Sequence, residues 1–524
     1  MGLSINIINP FLSSSYPAAM SHRTLPLRYI MMLTVLCAFA SGVHAAVLDS
    51  LRYHAGLTLT GSSGSDTPFW LVSNRQGLSN VRSDFGYVRL GLDKPMTHDK
   101  RWSWGAGADV AVGWRMQSVL TVQQLYVEAR YRCLDAYIGS KELPDIFGAK
   151  GLSSGNLLYS GNSRPIPQFR LGIFDYADIW GLKGWLSAKG YLSFGMFTDS
   201  NWQKSWYAAD AKRTEDVLYH SKGLWLRNGN PDVFPLTLEC GIEMATQFGG
   251  ISYQDGKIIH MPHGLKAWLK ALVPMGGDAT TPTQEQTNVQ GNMTGCWDFR
   301  LAWTPRNADW GVSAYYEHYF EDHSQLYIEY AWKDGLWGVE GHLPANPVVD
   351  RIVYEYLYTK DQTTSVYWDK NHEIPEQVSG RDNYYNHYIY AGWQHWGMGI
   401  GNPLVLSPIW NNDRQSYFRT TRVQGHHFGL SGSPLPWLGY RLLASYTRNW
   451  GNYAATEYGG PFDKVEDCFS MLAELTWRPQ RRKLYGWEAG VAFAADGGSL
   501  LGGNFGIMLN ISKTGWLNFK RTKR

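Results

Sequence analysis

Past residue 45 the chain alternates apolar and polar positions again and again. In 236–244, Leu236, Leu238, Cys240, Ile242 and Met244 take every second place, opposite Thr237, Glu239, Gly241 and Glu243. Leu125, Val127, Ala129 and Tyr131 oppose Tyr126, Glu128 and Arg130. Phe469, Met471, Ala473, Leu475 and Trp477 oppose Ser470, Leu472, Glu474 and Thr476. The same period runs through 299–303, 326–332, 440–446 and 505–511, with Arg300, Glu329, Arg441 and Asn510 on the polar side. A period of two places one row on each face of a strand. About eighteen to twenty such segments, separated by Gly, Asn, Asp and Pro turns, predict an all-β chain.

Two architectures share this pattern. A soluble sandwich or propeller turns the apolar row inward. A transmembrane barrel turns it toward lipid and the polar row toward its lumen, with aromatics where strands leave the bilayer. Strands of about ten residues, and Tyr and Trp at the ends of the apolar rows, as at Tyr440 and Tyr446, favour the barrel. A closed barrel also leaves no strand edge unpaired in lipid. The polar rows carry both signs: Arg89, Arg130, Arg170, Arg300 and Arg441 against Glu128, Glu239, Glu243, Glu329 and Glu474. Charges of both signs can pair across a lumen, which predicts a filled interior more than an open channel.

Three stretches interrupt the alternation: 141–168, 251–295 and 359–383. They read as loop inserts in one barrel domain, 46–524. Within the second, Leu265, Trp268, Leu269 and Leu272 have the spacing of a short amphipathic helix. Composition agrees with dispersed apolar content. Aromatics make up 15% of the 524 residues and charged residues 18%, while the mean hydropathy is −0.32. Such a chain lacks the repeated ~20-residue apolar runs of a helical membrane protein. The 48 basic and 45 acidic residues give no polyanion signal, so no nucleic-acid partner is expected.

Residues 1–45 read as an export signal. Arg23 and Arg28 precede an apolar run from Tyr29 to Ala40, and Val43-His44-Ala45 supplies the cleavage site, with Met20 an alternative start. The later cysteines, Cys133, Cys240, Cys296 and Cys468, are far apart and form no metal-binding spacing; a single bridge stays open.

Several passages resemble the Wzi-type capsule-assembly proteins of Gram-negative outer membranes. They are Thr67-Pro68-Phe69-Trp70-Leu71 with Asn74-Arg75 and Gly77, Gln123 to Tyr131, Gly139 to Glu142, and Ser153 to Ile173. Further on come Asn386-His387-Tyr388, Gly392-Trp393, Gly401-Asn402-Pro403-Leu404 and His426 to Gly432. The order of these short motifs spans most of 50–512. The resemblance implies an antiparallel outer-membrane β-barrel of about eighteen strands, with a small helical or loop element at the periplasmic mouth. It implies a lectin-like, non-enzymatic protein that binds exported capsular polysaccharide and supports capsule assembly at the cell surface. Outer-membrane lipid and the capsule export machinery are the other candidate partners. One departure stands at the end, where Phe519 is followed by Lys-Arg-Thr-Lys-Arg.

Lectins pair aromatic platforms with planar polar side chains. Two clusters fit: Tyr384, Tyr385, Trp393, His395 and Trp396; and Trp410, Asn411, Asn412, Asp413 and Arg414. The bland alternatives are interface aromatics and ordinary turn chemistry. Asn162, Arg164 and Gln168 read either as glycan contacts or as a Pro-bracketed turn whose Arg164 pairs with a lumen carboxylate. Glu128, Arg130, Glu239, Glu243, Arg300, Glu329 and Arg441 read as lumen charges. Gly151-Leu152-Ser153-Ser154-Gly155 lacks the strand and helix of a nucleophile elbow. No cofactor, metal or catalytic residue is implied. A β-rich glycan-processing enzyme of the periplasm or exterior, and an outer-membrane porin or export channel, are the competing readings.

Overall fold

The computed structural model describes residues 51–517, apart from 83, 98, 144–150, 274–289, 307–308, 322–331, 345–347, 368–377 and 455–459. The export signal, Glu329, the 326–331 part of its strand and the basic tail lie outside the described residues.

Eighteen strands form one antiparallel sheet that closes on itself. In chain order they are β1 Leu51–Ser63, β2 Phe85–Lys94, β3 Trp102–Trp114, β4 Leu120–Tyr131, β5 Leu134–Ser140 and β6 Gln168–Asp178. Next come β7 Leu186–Met196, β8 Leu218–Asn228, β9 Leu236–Phe248, β10 Asn292–Trp303, β11 Gly311–Glu321 and β12 Gly335–His342. The last are β13 Arg351–Tyr358, β14 Val423–Leu435, β15 Leu438–Gly451, β16 Pro461–Trp477, β17 Trp487–Gly497 and β18 Asn504–Leu517. β18 pairs with β1, Leu517 opposite Leu51 and Phe505 opposite Ser63, which closes the barrel. No described helix is long and apolar enough to cross a membrane.

The alternation decides which side is which. Along β16, Phe469, Met471, Leu475 and Trp477 are exposed, whereas Ser470 and Leu472 are buried. Along β18, Phe505, Ile507, Leu509 and Ile511 point outward. The apolar rows therefore make an external band and the polar rows line the interior, as a barrel in lipid requires. Inside, the two charge signs meet: Arg441 pairs with Glu474 across β15 and β16 at 2.6 Å, and Arg130 pairs with Asp135 at 2.7 Å.

The two ends differ. At one, connections run from the two residues between Tyr131 and Leu134 to the nine between Trp477 and Trp487. The two-residue turn at Arg132 is left-handed (φ 58°), which suits a tight hairpin. The other end carries the long connections 64–84, 141–167, 197–217, 249–291 and 359–422. Helices α1 Phe69–Val72, α2 Ser200–Trp206 and α3 Leu265–Leu272 all belong to these long connections. In bacterial barrels the short turns are periplasmic. The three α-helices therefore sit away from the periplasmic mouth. The short-turn side, where the resemblance put a small helical or loop element, carries the 3-10 turn Arg482–Leu484.

All five of these connections contribute residues to the core inside the lumen. Leu71, Leu152, Leu158, Trp393 and Phe418 are buried in one cluster with inward wall residues such as Val353 and Leu472. Irregular backbone inside a barrel needs hydrogen-bond partners, because a buried unpaired N–H costs about 1–3 kcal/mol. The inward acids supply them. Glu355 accepts from Ser153 Oγ at 2.6 Å and Ser154 N at 2.7 Å, Glu317 from Leu157 N at 2.7 Å, and Asp496 from Phe69 N at 2.9 Å. His427 bonds the Leu152 carbonyl at 2.7 Å, and Arg441 donates to the Gly151 carbonyl at 2.9 Å. The four cysteines are free.

Candidate functional site

At the long-connection end, α2 contributes two tryptophans to a group of four, three of them half-buried. Ser200-Asn201-Trp202-Gln203-Lys204-Ser205-Trp206 places two tryptophans four apart, hence on one helical face. Asp199, just before the helix, ties it to the 394–396 turn. Its Oδ2 accepts from Gln203 Nε2 and from Trp396 N, each at 3.1 Å. The Trp202 ring stacks on Trp206 with centroids 5.7 Å apart and lies 6.2 Å from Trp396. Gly397 makes room, since a Cβ there would stand 2.3 Å from the Trp202 indole. Trp202 is buried in a small core with Val72, Val81, Tyr207 and Ile409, while Trp206, Trp396 and Trp410 remain half-buried.

Two arginines rest on these rings. Arg164 lies 4.1 Å over Trp396, and Arg414 lies 5.4 Å from the Trp206 centroid. Arg164 does not meet the lumen carboxylate that its turn suggested. Its partner is an aromatic face, and its Nε and Nη2 have no hydrogen-bond partner among the described residues. Burial lowers its pKa to about 10, with Asp199 opposing. Among the described residues, Trp202 Nε1 and Trp206 Nε1 have no partner either. His395 is buried between the same elements. Its Nε2 accepts from Thr198 N at 3.3 Å, which leaves Nδ1–H to donate to the Arg164 carbonyl at 3.0 Å. Burial holds this imidazole below its ordinary value, with Asp199 working against the shift.

The cluster at 410–414 is split by the structure. Trp410 stacks on Phe69 at 6.2 Å. Asn411 is buried and spends its amide on the carbonyls of Gln415 and Tyr417, both at 2.8 Å, as a turn-former does. Asn412, Asp413 and Arg414 are exposed; Asn412 accepts from Arg82, and Asp413 pairs with Arg419. The cluster at 384–396 divides as well. Tyr384, Tyr385 and Trp393 are at most 2% exposed and present no face outward. Tyr385 N donates to Glu321 at 2.7 Å and Trp393 Nε1 to the Leu158 carbonyl at 2.8 Å, so they lock the lumen core. Trp396 alone of that aromatic group reaches the patch. Asn162 bonds the Gly399 carbonyl at 3.0 Å and Gln168 the Ile166 carbonyl at 3.3 Å.

The lumen charges are used by the wall itself. Arg300 lies 4.0 Å from Glu239 and 3.7 Å from Glu340. Glu128 pairs with Lys141, and Glu243 accepts from the Tyr191 hydroxyl. Trp202, Trp206 and Asp199 escaped the sequence reading. Their signal, an acid followed by two tryptophans at helical spacing, covers only two turns.

Neither a protein-family model nor a curated protein matches the chain. Solved structures do. Wzi of Escherichia coli, an outer membrane protein involved in group 1 capsule assembly and a carbohydrate-binding β-barrel, aligns with a TM-score of 0.53 and 14% identity. That alignment covers 92% of this chain and 87% of Wzi. Pseudomonas aeruginosa OccK3 aligns at 0.41 and 10% identity, covering 89% of this chain and 96% of its own. OprD of the same organism aligns at 0.43 and 9%, covering 89% and 94%. At these identities the likeness concerns the fold, that of an outer-membrane β-barrel.

Proposed function

We propose that the protein holds exported polysaccharide, capsular polymer first of all, at the outer face of the outer membrane, without acting on it chemically. The observation that carries this reading is the tryptophan patch at the long-connection end. Trp206 and Trp396 are half-open, each has an arginine over its ring, and Asn412, Asp413 and Arg414 stand exposed alongside. Sugar rings offer C–H faces to such platforms and hydroxyls to the neighbouring polar groups. Single contacts of this kind are weak, and the repeats of one polymer reinforce them. The carbohydrate-binding Wzi barrel has the same fold, which supports the reading. The inserts buried across the lumen disfavour a diffusion channel. Export with cleavage after Ala45, and receipt of polymer from the capsule export machinery, belong to the same proposal.

The test is capsule retention in a deletion strain complemented with wild type or with Trp206→Ala/Trp396→Ala, beside single-channel conductance of the purified barrel. The reading expects released polymer in the double variant with normal membrane insertion. A large conductance with an unchanged capsule would point to a porin instead.

A further inference from the structure

The half of the lumen nearer the short turns is left open by the inserts. It holds a chamber of about 510 Å³, within the ~300–1,000 Å³ typical of small-molecule sites. Tyr126, Tyr137, Arg170, Lys189, Tyr191 and Trp225, from β4 to β8, make its wall. Arg52 and Asp175 stand at its mouth on the turn side, with side chains 53% and 68% exposed. Glycines lay the largest ring flat against the wall. A Cβ on Gly241 or Gly223 would come within 1.9 or 2.4 Å of the Trp225 indole, so the space above it stays free.

The charges in this chamber are not all paired. Arg130 is matched by Asp135 and Asp175, Lys141 by Glu128, Arg52 by Asp93, and Glu142 by Arg89. Arg170 lies 3.3 Å over the Tyr191 ring, and Lys189 sits 5.0 Å from Trp225 and 4.9 Å from Tyr176. Neither has a carboxylate within ion-pair distance among the described residues. The remaining acid of the lining, Glu243, gives one oxygen to the Tyr191 hydroxyl, and its other oxygen is buried without a partner among the described residues. Over the whole described lining five cations face six carboxylates, so there is no net positive charge. Arg170 and Lys189 are nevertheless the two cations held against rings with no carboxylate in ion-pair contact. Such a cation favours an anionic group that reaches it directly. Aromatic walls bearing phenol hydroxyls suit the C–H faces and hydroxyls of a sugar.

We propose that this chamber is a second binding site, opening on the turn side of the barrel, for a carboxylated saccharide of one or two rings whose carboxylate meets Arg170 and Lys189. It is independent of the outer tryptophan patch. Isothermal titration of the full-length barrel in detergent tests it with digalacturonate, cellobiose and inorganic phosphate in separate runs. Digalacturonate binds at least about tenfold more tightly than the other two, and Arg170→Gln or Lys189→Met weakens it by about tenfold or more. Heat-shifted gel migration reports that each variant is folded. Should Arg170→Gln not fold, Lys189→Met, which keeps the alkyl stem between the rings, decides alone. No binding of digalacturonate, equal binding of cellobiose or phosphate, or affinity unmoved by Lys189→Met overturns the proposal. Polymer retention, read on the same preparations, belongs to the outer patch, so each reading can fail without the other.

Discussion

Trp206 and Trp396 sit where a single side chain can be removed without opening the core, because the more buried Trp202 carries the packing between them. Aromatic contacts of this kind are worth about 0.5–1.5 kcal/mol. Trp206→Ala is therefore expected to weaken binding of a short oligosaccharide by roughly two- to tenfold. Loss of long polymer should be larger, since every repeat is affected; binding curves for the two chain lengths check this. His395 adds a pH dependence. Its folded pKa lies below the ordinary 6.5, so the unfolded chain binds the proton more readily. Stability of the 394–396 turn is fully present above about 6.5 and is lost as pH falls. Polymer retention should drop between about pH 7 and pH 5 in wild type, and His395→Gln should flatten that slope. At this scale the sequence was legible where partners are cross-strand neighbours, as with Arg441 and Glu474. It was not legible for Arg164, whose partner Trp396 lies 232 residues away on a different insert, beyond the reach of any local pattern.

Strands were readable because period two leaves only one way to hide the polar row in lipid, and β16 at 468–472 and β18 at 504–509 alternate buried and exposed residues accordingly. The inserts were harder. The alternation marked 359–383 as a loop, whereas the connection continues to Arg422 and packs Tyr384, Tyr385, Trp393 and Phe418 into the lumen. Irregular backbone gives core residues no period, so buried aromatics there look like exposed ones. What holds such backbone is the row of inward acids. Glu355 serves Ser153 and Ser154, and Glu317 serves Leu157. Glu355→Ala leaves a buried N–H unmatched, at a cost of about 1–3 kcal/mol confined to the insert. Limited proteolysis of the intact barrel should then cut within 151–163 several-fold faster, with heat-modifiable migration unchanged. Equal cleavage rates would mean that the insert is held by its apolar contacts alone.

At the scale of the molecule, closure of β18 on β1 and filling of the lumen are separate achievements. Hydrogen bonding around the ring makes the wall self-sufficient, so a barrel can survive the loss of what it encloses. The inserts meet the wall through discrete contacts: Leu152 against His427, Phe69 against Asp496, Gly151 against Arg441. Replacing residues 151–163 by a short Gly-Ser linker would remove Leu152, Leu157 and Leu158 from the central cluster together with their bonds to Glu317, Glu355 and His427. The freed acids would then face water, as lumen charges do in open barrels. In planar bilayers this variant should conduct with steps several-fold larger than wild type and remain shifted by boiling on gels. Wild-type conductance as large as that of the linker variant would show that ions already pass the inserts, and the case for a holder over a channel would then rest on the tryptophan patch alone.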